Sequence, residues 1–219
     1  MPTARESLLD AALAALGARP WAAVRMVDVA LSAGVSRQTL YNEFSSKDGL
    51  ARALARREAD TFLAGVENAL AEAERQGADA GDCFAAAAAW TLHSARRSPL
   101  VRATLTGCRS ERLPAVAAAG IPLQRSPHAT RFSAAPASMA QPPVAAAAPA
   151  PGELVTEIRN RAVGALEHGY PKLDLADIGW ACEVAVRLTL AYVVAPSASD
   201  EDACLQVARL VRGLLAHGW

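Results

Sequence analysis

From residue 3 to about residue 108 apolar side chains return every three or four positions almost without interruption, and no stretch of useful length alternates apolar with polar. A chain with the 3.6-residue period and without the 2-residue period has helices to pack and no sheet to build, so the expected class is all-α. The first helix starts at Thr3, whose side chain forms a capping-box pair with Glu6, carries Leu9, Leu13 and Leu16 inward, and meets a stop at Gly17. Short helices are expected over about 26–33 and 37–44. A long one should follow from 47 to about 75, capped by Ser45 with Asp48, with Leu50, Leu54, Phe62, Val66 and Leu70 on its inward stripe. Another should cover about 82–97, after which Pro99 restarts the chain.

Between residues 114 and 152 the character changes. Pro, Ala and Ser dominate, charges nearly vanish and no period persists, a composition that cannot bury enough apolar surface to offset the entropy of ordering it, so a mobile linker is expected there. Helical pattern returns at Glu153, with helices expected over 154–168, 174–194 and 200–216, the last capped by Ser199 with Asp202. The domain expectation is therefore a small unit over 3–63 and a larger helical unit over 64–219 that contains the 114–152 segment.

With 52% apolar residues in 219, a real core is affordable. The formal net charge is zero, yet residues 1–57 carry eight Lys/Arg against five Asp/Glu while the remainder is acidic by the same margin, which makes the N-terminal end the better partner for a polyanion. Cys83, Cys108, Cys182 and Cys204 are widely spaced, with no C-x-x-C pair and no histidine at zinc spacing. They read as reduced, small apolar residues of a cytoplasmic protein. The start MPTARESLLD has no apolar run after a basic one, so secretion is not expected, and the longest uncharged run holds five prolines and is no membrane span. No nucleophile elbow, phosphate loop, metalloprotease helix or usable carboxylate pair occurs, so neither an enzyme nor a bound metal or cofactor is expected.

The stretch SAGVSRQTLYNEFSSKDGL places a polar cluster in a chain otherwise rich in Ala, Val and Leu. On a helix over 37–44, Leu40 and Phe44 share the inward face. Gln38 and Asn42 lie opposite, Thr39 and Tyr41 flank them, and Arg37 occupies the first turn. Ahead of it Ala30 and Gly34 suit the close meeting of two helices, Gly34 by taking a positive φ, and Val29 and Val35 seal the underside. Two helices joined in this way, over about 25–44, make a helix-turn-helix that lays its second helix in the major groove. Arg37 has the fork for guanine O6 and N7, and Gln38 or Asn42 the amide for adenine N6 and N7. Thr39, Tyr41 and Lys47 suit phosphate oxygens, which fix register without reading sequence.

The run VDVALSAGVSRQTLYNEFSSKDGL, with RESLLDAALAALG before it, resembles the N-terminal domain of the TetR family of transcriptional regulators over about residues 3–60. The resemblance implies a three-helix DNA-binding domain, with Arg37 and Gln38 at bases and Thr39, Tyr41 and Lys47 at the backbone, followed by a helical domain that binds small ligands and dimerises. Arg25 departs from the Ser or Thr that often caps the second helix, and brings a cation near the phosphates instead. Asn42 and Glu43 fall at variable positions, where they tune specificity or do nothing.

The helix over 174–194 has two apolar stripes, one of Ile178, Cys182, Ala185 and Thr189 and one of Trp180, Val184, Leu188 and Ala191, so both sides need cover. With the last helix, apolar at Val207, Leu210, Val211, Leu214 and Leu215, it suggests a four-helix interface between two copies. That agrees with the family, which dimerises through its last two long helices. The family's ligand pocket lies among the central helices, which points to Phe84, Trp90, Leu92, His93, Leu105 and Trp180, although core packing suits both tryptophans better than a ligand clamp does. Two readings stand at this point: a repressor that binds palindromic operator DNA as a homodimer and is released by a small apolar effector, or a helical dimeric ligand-binding or scaffold protein without DNA binding.

Overall fold

The computed structural model describes residues 2–108, 110–114, 149–169 and 175–217. Within these the chain forms nine α-helices and no strand. The expected mobile linker falls largely on residues 115–148, outside the described residues.

Helix α1 (Ala4–Ala18) begins with the expected reciprocal cap: Thr3 Oγ1 accepts from Glu6 N–H at 3.2 Å and Glu6 Oε2 from Thr3 N–H at 2.8 Å. Its inward residues are Leu8, Leu9, Ala11 and Ala12, whereas Leu13 and Leu16 sit at the edge of the core. The helix passes through Gly17, where the expectation put its end, and stops at Arg19 before Pro20. Pro20 cannot donate to the helical ladder, a firmer terminator than a glycine that still offers its N–H.

A short 3-10 turn (Trp21–Ala23) leads to α2 (Met26–Ser32) and α3 (Arg37–Phe44). The turn between them contains Gly34 at φ +69, as the sequence required. Helix α4 (Lys47–Arg75) is capped by Ser46, whose Oγ accepts from Gly49 N–H at 3.0 Å, and not by Ser45. The reason is conformational. Ser45 has φ +58, in the left-handed region, and Ser46 N–H turns back to Phe44 C=O at 2.6 Å, so only Ser46 has the extended backbone an N-cap needs. Gly49 is required beside this cap, since a Cβ there would lie 2.0 Å from the Phe44 carbonyl oxygen. The end of α3 thus rests directly on the first turn of α4.

Helices α5 (Ala80–Arg97) and α6 (Pro99–Thr106) follow, capped by Asp79 and Ser98. Helix α7 (Pro151–Gly169) begins three residues before the expected start, because Pro151 occupies a first-turn position where its missing N–H costs nothing. Helices α8 (Leu175–Val194) and α9 (Asp200–His217) complete the fold, with Ser199 capping α9 through Asp202 N–H at 3.0 Å.

Two apolar cores result. The first gathers Leu8, Trp21, Val29, Leu40, Phe44, Leu50 and Leu54, and the second runs from Ala59 through Phe62, Val66 and Leu70 of α4 into α5 to α9. Helix α4, ~43 Å long at 1.5 Å per residue, is common to both. Among the described residues, one side chain from beyond α4 joins the first core: Leu100 of α6. Near it Trp21 N–H donates to the carbonyl of Arg112 at 2.8 Å. Trp90 fixes α5 on α4, donating its indole N–H to Phe62 C=O at 3.0 Å while its ring lies so close to Gly65 that a Cβ there would overlap it.

Candidate nucleic-acid interface

Helix α3 is held from below and free above. Leu40 and Phe44 are buried at 0% and 4% exposure, Val29 and Ala30 of α2 support them, and Arg37, Gln38, Tyr41, Asn42 and Glu43 face solvent. Ser36 caps the helix by accepting from Thr39 N–H at 3.0 Å, and the Ser36 and Thr39 hydroxyls lie 2.9 Å apart. Gln38 Nε2 donates to Asn42 Oδ1 at 3.0 Å, which aligns the two amides in a row along the exposed face. An exposed amide of this kind can pair with adenine N6 and N7.

Arg37 has an exposed guanidinium at the N-terminal end of α3, where the unpaired N–H groups of the first turn add to its positive field. Arg25 occupies the N-cap position of α2 without any side-chain cap bond, and its Nε donates to Asp28 at 3.1 Å. Arg19 reaches the same carboxylate at 3.2 Å. Lys47 is more constrained than the sequence indicates. Its Nζ donates to Ala22 C=O at 3.1 Å and lies 5.5 Å from the centroid of the Trp21 ring, which ties the start of α4 to the 3-10 turn and leaves two of its protons to point outward. Arg5 makes an analogous tie on the other flank, 4.8 Å over the Phe44 ring and 3.4 Å from Glu43. Sequence pattern gave no sign of Arg5, because its partners lie far along the chain.

The six residues proposed around an effector are not brought together around one space, and Leu92, though buried, lines no part of the cavity that Phe84 reaches. Phe84 lines a small, partly open cavity bordered by α4, α5, α7 and α8, beside Val66, Thr91, Ile158, Val186 and Thr189. Leu105 is buried, and Trp90 lies against α4, but neither lines that cavity. His93 is exposed, with its ring 6.5 Å from that of Trp90. Trp180 is 54% exposed and lines an open surface groove between α7 and α8 with Arg159 and Glu183. Thr91 had no signal in the pattern, and Thr189 stood in one of the two apolar stripes of α8.

The two stripes of α8 fare differently. Ile178, Cys182, Ala185 and Thr189 are buried, whereas Val184 and Leu188 are half-buried and Trp180 and Ala191 exposed. Val194, near the end of the same helix, is 59% exposed, and on α9 Leu205 is 50% exposed. Burial pushes the Cys182 thiol up to about 12 against the opposing pull of Arg159, and raises Cys83 and Cys204 as well, so all three stay protonated and act as apolar filling. Among the described residues no group of three His, Cys, Asp or Glu is placed to hold a metal ion, and no helix is long and apolar enough to cross a membrane.

Comparison with known proteins gives this geometry a setting. Residues 8–54 match the family described as "Bacterial regulatory proteins, tetR family". The HTH-type transcriptional regulator AlkX of Mycobacterium tuberculosis (strain ATCC 25618 / H37Rv) is 31% identical over 207 residues, spanning 94% of this chain and 82% of that protein. Among solved structures, the TetR family repressor AlkX from Dietzia sp. strain DQ12-45-1b, implicated in biodegradation of n-alkanes, superposes with a TM-score of 0.57 at 19% identity. That match covers 96% of each chain and speaks for the fold.

Proposed function

The chain belongs to the tetR family of transcriptional regulators, and from that membership we propose that it is a repressor that binds palindromic operator DNA as a homodimer and is released by a small apolar effector. The observation that carries the proposal is the construction of α3: a polar row of Arg37, Gln38, Tyr41 and Asn42 raised to solvent by Leu40 and Phe44 beneath. In this reading Arg37 and Gln38 contact base edges, and Asn42 extends or tunes the contact. Thr39, Tyr41, Lys47 and Arg25 engage phosphates and set the register of the helix in the groove.

Dimerisation is supported by the band from Trp180 to Val194 on α8 with Leu205 on α9, apolar surface that one copy leaves open and a two-fold related copy covers. Two reading helices then address half-sites about one helical turn apart. The effector reading is supported by the cavity that Phe84 lines, which touches α4 at Val66. A molecule that widens it displaces α4, and α4 carries the end of α3 through the contact between Gly49 and Phe44. Release is a population shift: effector favours a spacing of reading helices that no longer matches successive grooves.

Selection of bound fragments from random DNA by the purified protein, followed by mobility shifts across a salt series, tests this. The expected outcome is a palindromic consensus whose affinity falls steeply with salt as phosphate contacts release counterions. Recovery of no consensus, with salt-insensitive binding, would leave the helical ligand-binding protein without DNA as the better account.

A further inference from the structure

We infer that the cavity between α4, α5, α7 and α8 selects an uncharged hydrocarbon chain that carries a hydroxyl group, with Thr91 and Thr189 offering oxygens that accept a hydrogen bond from the ligand's O–H. The inference rests on the reading of that cavity as the effector site and specifies its chemistry. Among the described residues the buried polar side chains are Thr91 and Thr189, at 5% and 6% exposure, and both line this one void from different helices. Threonines that only fill a helix interior have no cause to front the same space.

The hydroxyl protons are already committed. Thr91 donates to Ala87 C=O and Thr189 to Ala185 C=O, each at 2.8 Å one turn back. What each oxygen keeps is its lone pairs, so the cavity presents acceptors and no donor, and its other lining residues are apolar. A carboxylate or phosphate placed there loses its water and meets only further lone pairs; an ammonium arrives without a countercharge. An alcohol matches, because its single proton finds an acceptor and its chain finds Val66, Phe84, Ile158 and Val186. Size adds a constraint. The free volume is about 20 Å3, room for one water molecule, so the ligand enters by parting the helices at walls built from Ala87, Ala88 and Ala162. The opening that results is a slot between helices, which a chain fills better than a ring system.

The test titrates the full-length protein with 1-octanol, its methyl ether and octanoate at pH 7, reading binding by tryptophan fluorescence and thermal stabilisation, and operator release separately by mobility shift. The expected order is 1-octanol bound about tenfold more tightly than the ether, which lacks the donor, and octanoate not bound. The double variant Thr91→Val with Thr189→Val, which keeps volume and removes both oxygens, should bind alcohol and ether alike. Thr91→Ser with Thr189→Ser should restore the preference, which separates lost recognition from altered packing. Octanoate binding best, an alcohol preference that survives the double valine variant, or no binding of any of the three overturns the inference. Binding of 1-octanol without release of operator leaves the inference standing and removes the proposed switch.

Discussion

The two cores are built on opposite contrasts. Around the first, three short helices stand a polar surface on large apolar residues, and recognition faces outward, in water, from side chains whose positions are fixed by Leu40, Phe44 and Trp21. Around the second, long helices rich in alanine meet one another, two threonines are the buried polar side chains among the described residues, and both the cavity and the open band on α8 are apolar against apolar. On the proposed reading, the first region discriminates by hydrogen-bond pattern, which is directional and costly to mismatch, and the second by shape and by the absence of compensating charge. A switch needs both kinds: a stiff reader whose geometry is worth altering, and a loosely specified interior that a ligand can alter.

Four perturbations break or sharpen this contrast. The largest effect belongs to paired core truncations. Leu40→Ala and Leu154→Ala, both fully buried, should each cost about 2–5 kcal/mol in thermal unfolding. Only the first should abolish operator binding at temperatures where helical circular dichroism persists; equal loss of DNA binding from both would mean that the two cores melt as one. Next is Trp180→Asp on the open band of α8, expected to weaken self-association by about 2 kcal/mol or more if the residue anchors the interface, as read by sedimentation equilibrium. An unchanged association constant would move the interface elsewhere.

Within the reader, Arg37→Ala should cost about 1–3 kcal/mol and relax base preference, whereas Lys47→Ala should weaken all DNA sequences about equally. Competition with the selected consensus and with mutated sites measures both. Because Lys47 also holds Ala22 C=O and the Trp21 ring, its variant should lower Tm slightly as well, a mark that Arg37→Ala should lack. The smallest effect is electrostatic. Hydrogen bonds from Arg212 hold the Asp79 carboxyl below its ordinary 3.8, with Arg212 Nε at 2.7 Å. A carboxylate depressed in the folded state contributes stability above its unfolded pKa and loses it as pH falls through the folded value, so the contribution should fade only below about pH 4. Asp79→Asn keeps an N-cap acceptor and removes the charge; its melting curve should differ slightly from the parent's at pH 7 and converge with it in acid.

How much of this was legible in the sequence follows from the same contrast. The boundaries of α3 and α4 could be read because Gly34, Ser36 and the Ser45–Ser46 pair punctuate them, and the exposure of Gln38 and Asn42 follows from Leu40 and Phe44 being four apart. Which of two adjacent serines caps α4 could not, since the choice lies in the φ of each and not in their chemistry. The partner of Lys47 is 25 residues away and carries its acceptor on the backbone, which no side-chain pattern reports. In the second core an alanine facing a cavity, a neighbour or a second copy has the same letter. Phe84 came from the family resemblance, which puts the pocket among the central helices, while nothing in the sequence sets Thr91 apart from the residues around it.

Leu100 reaches into the reader from a helix that follows α4, and the Arg112 carbonyl holds Trp21 from the same side. Anyone assembling a hybrid regulator by joining the first 57 residues to a foreign sensor would therefore leave a leucine-sized hole in the DNA-binding half, at a cost of roughly 2.7–5 kcal/mol. A workable splice carries α6 along with the reader or enlarges a neighbour to fill the gap, which makes the transplantable unit discontinuous in sequence though continuous in space.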